Sequence, residues 1–343
     1  MAPVIDPWKC YKAAFRMALS RMRIAPSAPA ALLALAVASA AASAFAYPTK
    51  PVHVVVPSSP GGASDLVARM FAVPLGELLG QPLIVENRVT SGGIVGTQQV
   101  ADSPADGQTL LVTFDTFASN PYLYKTLKWD PVRDFAPVME LCRYPQVLLV
   151  HPSLGVRSVA EFVALAKQKG AQLNYGSAGP ASSSRLAYEL FKEAAGIETV
   201  PVHYKGGGPA IRDLLAGQVQ VMLIQGGGAI QQYVRSGKLV ALAVSSAQRS
   251  KFYPELPTIA ETFPGFHTES WVAMFAPAAT PAPVIVQLHD SLNKIIDDQD
   301  MRAKLALQGC EIAGGTPEDL ARVVREDQLK WGRIIRHRHI TIE

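Results

Sequence analysis

The sequence predicts an α/β protein with mostly parallel sheets, and three observations carry that expectation. Short β-branched runs alternate with longer segments of helical periodicity. Gly- and Ser-rich turns stand where several of those runs give way to helices, as expected of βα units. Of the 343 residues, 49% are apolar and 17% charged, which excludes a disordered chain and leaves material for about two cores. In chain order, the unbroken Val-His-Val-Val-Val at 52–56 is a buried strand, followed by a Pro/Gly/Ser turn and a helix over 64–79 with Pro74 as a kink point. Strands follow at 83–85, 109–114, 146–150, 173–175, 219–224 and 239–244. Helices are expected at 94–101, 159–169, 182–195, 209–216, 283–297, 300–308 and 317–335, and the Pro-rich stretch 276–281 reads as a loop or hinge.

The formal net charge of +4 is concentrated at one end. Residues 1–46 hold Lys9, Lys12, Arg16, Arg21 and Arg23 against Asp6, so of 32 basic and 28 acidic residues, 27 of each lie beyond them. A basic surface for nucleic acid is therefore not implied. After Arg23, an Ala/Leu/Val run from Ala30 to Ala42 closes on Ala44-Phe45-Ala46. Basic, apolar and then small residues make the pattern of a secretory signal peptide cleaved after Ala46, starting at Met1 or Met22. The apolar run is shorter than the roughly 20 residues a membrane-spanning helix needs. The mature chain is expected to begin at Tyr47, outside the cytoplasm. Cys142 and Cys310 then face an oxidising compartment, where a disulfide and two buried thiols are both open.

Four Gly-rich turns are the candidate chemistry. Pro57-Ser58-Ser59-Pro60-Gly61-Gly62-Ala63-Ser64-Asp65 joins a strand to a helix, with open backbone amides and Ser64 or Asp65 as a cap. Amides at a helix N-terminus form an anion site. The loop lacks both Gly-Lys-Ser/Thr and Gly-x-Gly-x-x-Gly, so it is not a nucleotide loop. Asn174–Arg185 repeats the design with Ser177, Ser182 and Ser183, and Arg185 offers a planar fork suited to a carboxylate. His203–Ala210 and Gln225–Gly228 are the remaining turns, and ligands of α/β sheets bind at such strand ends. Enzymatic patterns are thin. Tyr175 stands where Gly-x-Ser-x-Gly needs glycine, and Ser291 with Lys294 has the spacing Ser-x-x-Lys without its companion motifs. The histidines show no metal-ligand spacing, so neither a metal nor a cofactor is expected, and His337-Arg338-His339 reads as a solvated tail. Trp129 and Trp271 read equally as cleft lining or core.

Taken together, these segments resemble one family, the periplasmic solute-binding receptors of tripartite tricarboxylate transporters, also called Bug receptors. The match runs in order through Tyr47-Pro48-Thr49-Lys50-Pro51, the Pro-Gly-Gly-x-x-Asp loop, Val85-Glu86-Asn87-Arg88, Ala105-Asp106-Gly107-Gln108-Thr109, Asn174-Tyr175-Gly176-Ser177, Tyr204-Lys205-Gly206 and Leu256-Pro257-Thr258, ending near Trp331. The resemblance implies a two-lobed periplasmic-binding-protein fold of the type II flytrap kind, with lobe one over 47–144 and 268–343, lobe two over 145–267, and a ligand cleft between them. It implies Gly61, Gly62, Asp65 and Thr116 on one side of the cleft, and Ser177, Ser182 and Ser183 on the other; the turns themselves add Pro60, Arg185 and Gln225 as ligand-binding candidates. The ligand it implies is a small organic acid, the partner a membrane permease, and the receptor a monomer. Departures are Ser58 where an aromatic is common, Ala181 where glycine is usual and Arg185 where histidine is frequent. Two other roles stand behind this one: a receptor that reports to a membrane sensor kinase, and a secreted hydrolase using a serine of the 177–184 loop, which lacks an assembled base.

Overall fold

Residues 47–89 and 91–342 are described by a computed structural model. The signal peptide expected at 1–46 lies outside the described residues. Among the described residues, eight strands form one continuous path with β4 (Phe135–Val150) in its middle, and two more strands pair with β4 off that path. On one side, β2 (Leu83–Asn87), β1 (Val52–Val56) and β3 (Thr109–Phe114) run parallel, then β9 (Glu269–Pro277) runs antiparallel to β3 and to the first part of β4. On the other side, β7 (Val221–Gln225) and β8 (Val240–Val244) pair antiparallel with the last residues of β4. The parallel strands β5 (Asn174–Ser177) and β6 (Val200–His203) follow beyond β7. The expectation of parallel pairing thus holds within β2-β1-β3 and β7-β5-β6, while the strands joining these two groups are antiparallel.

Beta-strand 4 is 16 residues long, although sequence reading gave only its last five. Pro137 and Pro145 argue against a strand when read alone, because each removes a ladder donor. The strand shifts register after Pro137 and again after Glu140, while Pro145, at the end of that pairing, stays opposite Glu269. The Pro-rich segment from 276 likewise begins as the end of β9 rather than as loop.

Helices cover these strands. They are α1 (Ala63–Leu79, with Pro74 inside it), α2 (Ile94–Ala101), α3 (Thr116–Leu123), α4 (Val159–Lys169), α5 (Ser183–Ala195), α6 (Gly207–Leu215), α7 (Gly228–Arg235), α8 (Ala282–Ile296), α9 (Gln299–Leu307) and α10 (Pro317–His337). Among the described residues, no helix is long and apolar enough to cross a membrane. One core packs Val55, Leu111, Phe117, Trp129, Trp271 and Phe275 together, which makes both tryptophans core residues. Their indole N–H groups donate to the Ile94 carbonyl (3.2 Å) and to Asp327 (2.8 Å). Two further cores cover the faces of the second strand group, around Tyr188 and Phe191 and around Met222 and Leu214.

The C-terminal segment is not a solvated tail. Trp331, Ile334, Ile335 and Ile340 pack with Leu123 of α3 and Leu186 of α5. Arg338 makes a two-pronged pair with Glu198 (2.7 and 2.8 Å) and also reaches Glu189 at 3.1 Å. Arg333 and His337 both hold Glu193. The guanidinium of Arg338 keeps the Glu198 carboxyl down at about 2.

The question left open about cysteine is answered: Cys142 and Cys310 form a disulfide, with Cα atoms 5.6 Å apart across 168 residues of sequence. It ties β4 to the approach of β10 (Glu311–Gly314), its antiparallel neighbour. Replacing both cysteines by alanine is expected to cost about 2–5 kcal/mol, because the unfolded chain regains the freedom of a long closed loop. Urea unfolding of the oxidised and double-alanine proteins measures this, and equal midpoints would contradict it.

Candidate functional site

Two adjoining cavities of about 380 and 180 Å3 open where the strands end. Phe114, Thr116 and Gln225 line both. The larger is walled by the loop after β1 and the start of α1, the smaller by Ser182–Ser184, Gly207 and Gln146. The helices α1, α3, α5 and α6 therefore present their N-terminal ends to one cleft.

The first wall is built by the backbone. Gly61 takes a φ of +79°, which favours glycine, and the Gly62 N–H closes the turn onto the Ser59 carbonyl at 3.0 Å. Asp65 braces this loop from behind. Its carboxylate accepts from the Gly61 N–H (2.8 Å), Arg69 (3.0 Å) and Asn87 (2.9 Å), and the Asn87 amide also donates to the Ser58 carbonyl (3.0 Å). Burial pushes the Asp65 carboxyl up, but these three donors outweigh it and hold it below its ordinary value. Gly62 caps α1 without any side-chain hydrogen bond, so the positive end of that helix is left to the cavity.

The facing wall comes from the loop after β5. Ser182 caps α5 by accepting from the Arg185 N–H, and its hydroxyl donates to the Gly179 carbonyl at 2.7 Å. Ser184 accepts from the Ala178 N–H at 2.9 Å. Ser183 donates to Asp115, the fully buried residue between Phe114 and Thr116. At the floor, Gln146 donates to Ser270 at 3.0 Å and leaves its own carbonyl oxygen buried without a partner. Among the described residues, no Asp, Glu, Lys, Arg or His lines either cavity. The cleft is thus formally neutral and rich in N–H and O–H donors.

Comparison with known proteins places this architecture. The family model described as "Tripartite tricarboxylate transporter family receptor" matches residues 67–340. The chain belongs to that family. A relative of this receptor, the UPF0065 protein in the tcbD-tcbE intergenic region of Pseudomonas sp. (strain P51), is 36% identical over 292 residues, 84% of this chain and 87% of its own length. Among solved structures, R. palustris Rpa4515 with adipate superposes with a TM-score of 0.75 at 35% identity, covering 84% of this chain and 97% of its own. MatC from Rhodopseudomonas palustris with bound malate gives a TM-score of 0.73 at 31% identity, covering 84% and 100%. The periplasmic-binding-protein fold expected from the sequence is therefore shown.

Within the receptor, the sequence-selected residues divide. Gly62, Thr116, Ser182, Ser183 and Gln225 come together on the cleft wall. Pro60 and Gly61 form the turn behind it, and Asp65 holds that turn. Ser177 is fully buried behind the wall, bonded to the Gly179 carbonyl (3.2 Å) and to His203 (2.7 Å). Arg185 departs from its expected role. Its guanidinium donates to the carbonyls of Pro180 (2.7 Å) and Thr341 (2.6 Å), away from both cavities, because the C-terminal segment supplies acceptors on that side of α5. Sequence reading missed Gln146, Phe114 and Gly92-Gly93. The last pair repeats a Gly-Gly-before-helix signal, whereas Gln146 sits inside an apolar strand where nothing marks it.

Arg185→Ala is accordingly expected to change carboxylate affinity less than about twofold while lowering stability by about 2 kcal/mol through the lost carbonyl contacts. A Cβ on Gly62 would stand 3.1 Å from the Ser59 carbonyl oxygen, so Gly62→Val should displace the loop and weaken binding at least about tenfold in a folded protein. Calorimetric titration with adipate and malate checks both, and a large affinity loss in the arginine variant would restore its electrostatic role.

Proposed function

We propose that this receptor captures a small organic carboxylate in the neutral cleft and delivers it to the membrane permease of a tripartite tricarboxylate transporter. The observation that carries the reading is the convergence of four helix N-termini on one donor-rich space. A carboxylate removed from water needs a hydrogen bond at each oxygen lone pair it had satisfied, and open amides and hydroxyls supply them. Each charge-assisted bond contributes about 1.5–3 kcal/mol net, so three or four support micromolar affinity, about −8 kcal/mol. Adipate in Rpa4515 and malate in MatC are the kind of ligand this cleft suits.

The reading includes two lobes, 47–144 with 268–343 and 145–267, that close over the ligand as hinge-bending receptors do. The two groups of strands pair with successive parts of β4, which supports a hinge near Tyr144–Gln146. The role is binding without turnover. Ser177 and His203 are hydrogen-bonded, but the serine is fully buried and lines neither cavity. The receptor acts as a monomer in the periplasm after cleavage behind Ala46, and N-terminal sequencing of exported protein should begin at Tyr47.

In a thermal-shift assay, adipate or malate at about one hundred times its dissociation constant should raise the melting temperature by about 5 °C. Mass analysis should return the acid unchanged. Absence of any shift with either acid would contradict the carboxylate reading, and turnover would contradict the receptor role.

A further inference from the structure

The cleft is neutral, but a carboxyl group lies one hydrogen bond behind its wall. Asp115 follows β3 and sits at the start of α3, between two residues that line both cavities. It is completely buried. Ser183, itself on the wall of the smaller cavity, donates to it from α5. Ser270 of β9 bonds it from another side and accepts in turn from Gln146, a residue that lines the smaller cavity. Asp115 therefore joins β3, β9 and α5, and each serine that touches it leads toward the cleft.

Its charge environment is one-sided. Asp327 of α10 acts against ionisation, and Lys330 of α10 acts for it. That lysine is already committed, with its ammonium 2.7 Å from Asp327. Among the described residues, no Lys, Arg or His forms an ion pair with Asp115. Burial is the first cause that pushes its carboxyl up, to about 7, followed by Asp327, while Ser183, Ser270 and Lys330 pull it down. A carboxylate ligand adds a second negative charge in the same low-dielectric region, and Asp115, bonded directly to the wall residue Ser183, can answer by changing its charge.

We propose, resting on the carboxylate-receptor reading, that Asp115 takes up a proton from solvent when an anion enters the cleft, so that this receptor captures its ligand together with a proton. Ser183 carries the coupling. It stands on the ligand side of the cleft and holds Asp115 with the same hydroxyl, so ligand and aspartate compete for one donor. Protonated Asp115 releases that hydroxyl to the ligand; ionised Asp115 holds it and repels the incoming anion. Acidification therefore tightens anion binding over the range in which Asp115 titrates. If the bound anion raises its midpoint by about one pH unit, affinity at pH 6 exceeds that at pH 8 about fivefold.

The test titrates the full exported protein with adipate and malate at pH 7.5, in two buffers of different ionisation enthalpy. The proposal expects between about one-half and one proton taken up per acid bound, and fivefold tighter binding at pH 6 than at pH 8. Asp115→Asn should remove the uptake and flatten the profile to within about twofold. Nuclear magnetic resonance of the Asp115 carboxyl carbon in the wild-type protein needs no variant: its midpoint should lie near 7 without ligand and rise with it. Binding without proton uptake, uptake that persists in Asp115→Asn, or a carboxyl carbon that titrates in the ordinary aspartate range each overturns the proposal while leaving the receptor reading intact. Failure of both acids to bind overturns the receptor reading and this proposal together.

Discussion

The antiparallel pairing of β4 with β9 is the constraint on which the rest of the molecule depends. Residues 135–145 of one strand run against 269–277 of the other, and β4 then continues, without a break, into the second group of strands. Because both groups share this strand, the C-terminal ends of β1, β3, β5, β6 and β7 are brought to one cleft, and α1, α3, α5 and α6 start there. The disulfide from Cys142 fastens β4 to the approach of β10, and the bond from Trp271 to Asp327 fastens β9 to α10. The C-terminal segment adds a further tie, with Arg338 and Arg333 holding the acidic residues of α5 and the turn after it.

In the proposed reading, anion recognition rests on dipoles rather than ions. A neutral cleft avoids the desolvation cost of a buried guanidinium, and it leaves the field of converging amides uncancelled. Asp65 shows how the same economy works in the wall: a negative group placed behind a loop fixes the turn without facing the ligand. Asp115 is the counterpart behind the facing wall: among the described residues it has no ion-pair partner, and the proposed proton uptake runs through it.

The parts of this structure legible in the sequence were those written in local backbone chemistry. Gly61-Gly62 and the Ser182–Ser184 loop announce themselves because a tight turn before a helix needs particular residues at particular places. Strand–helix alternation gave the class for a similar reason. What local chemistry does not encode was read less well. The first part of β4 is a strand because β9 and β10 pair with it, in spite of its prolines. Thr116 lies on a helix because Phe117 and Leu123 are drawn into cores, although Pro121 argues for a loop. Arg185 has the right chemistry for a carboxylate and points elsewhere, since its partner carbonyl lies 156 residues away. His337 and Arg338 looked solvated for the same reason, their acidic partners being about 140 residues distant.

The most direct measurement of the central claim is a crystal structure of the receptor with adipate or malate in the cleft. The account predicts ligand carboxylate oxygens bonded to backbone amides at the start of α1 and to hydroxyls of Thr116 or Ser183, with no lysine or arginine nitrogen within the roughly 4 Å of an ion pair. A carboxylate paired with a cationic side chain, Arg185 included, would contradict it.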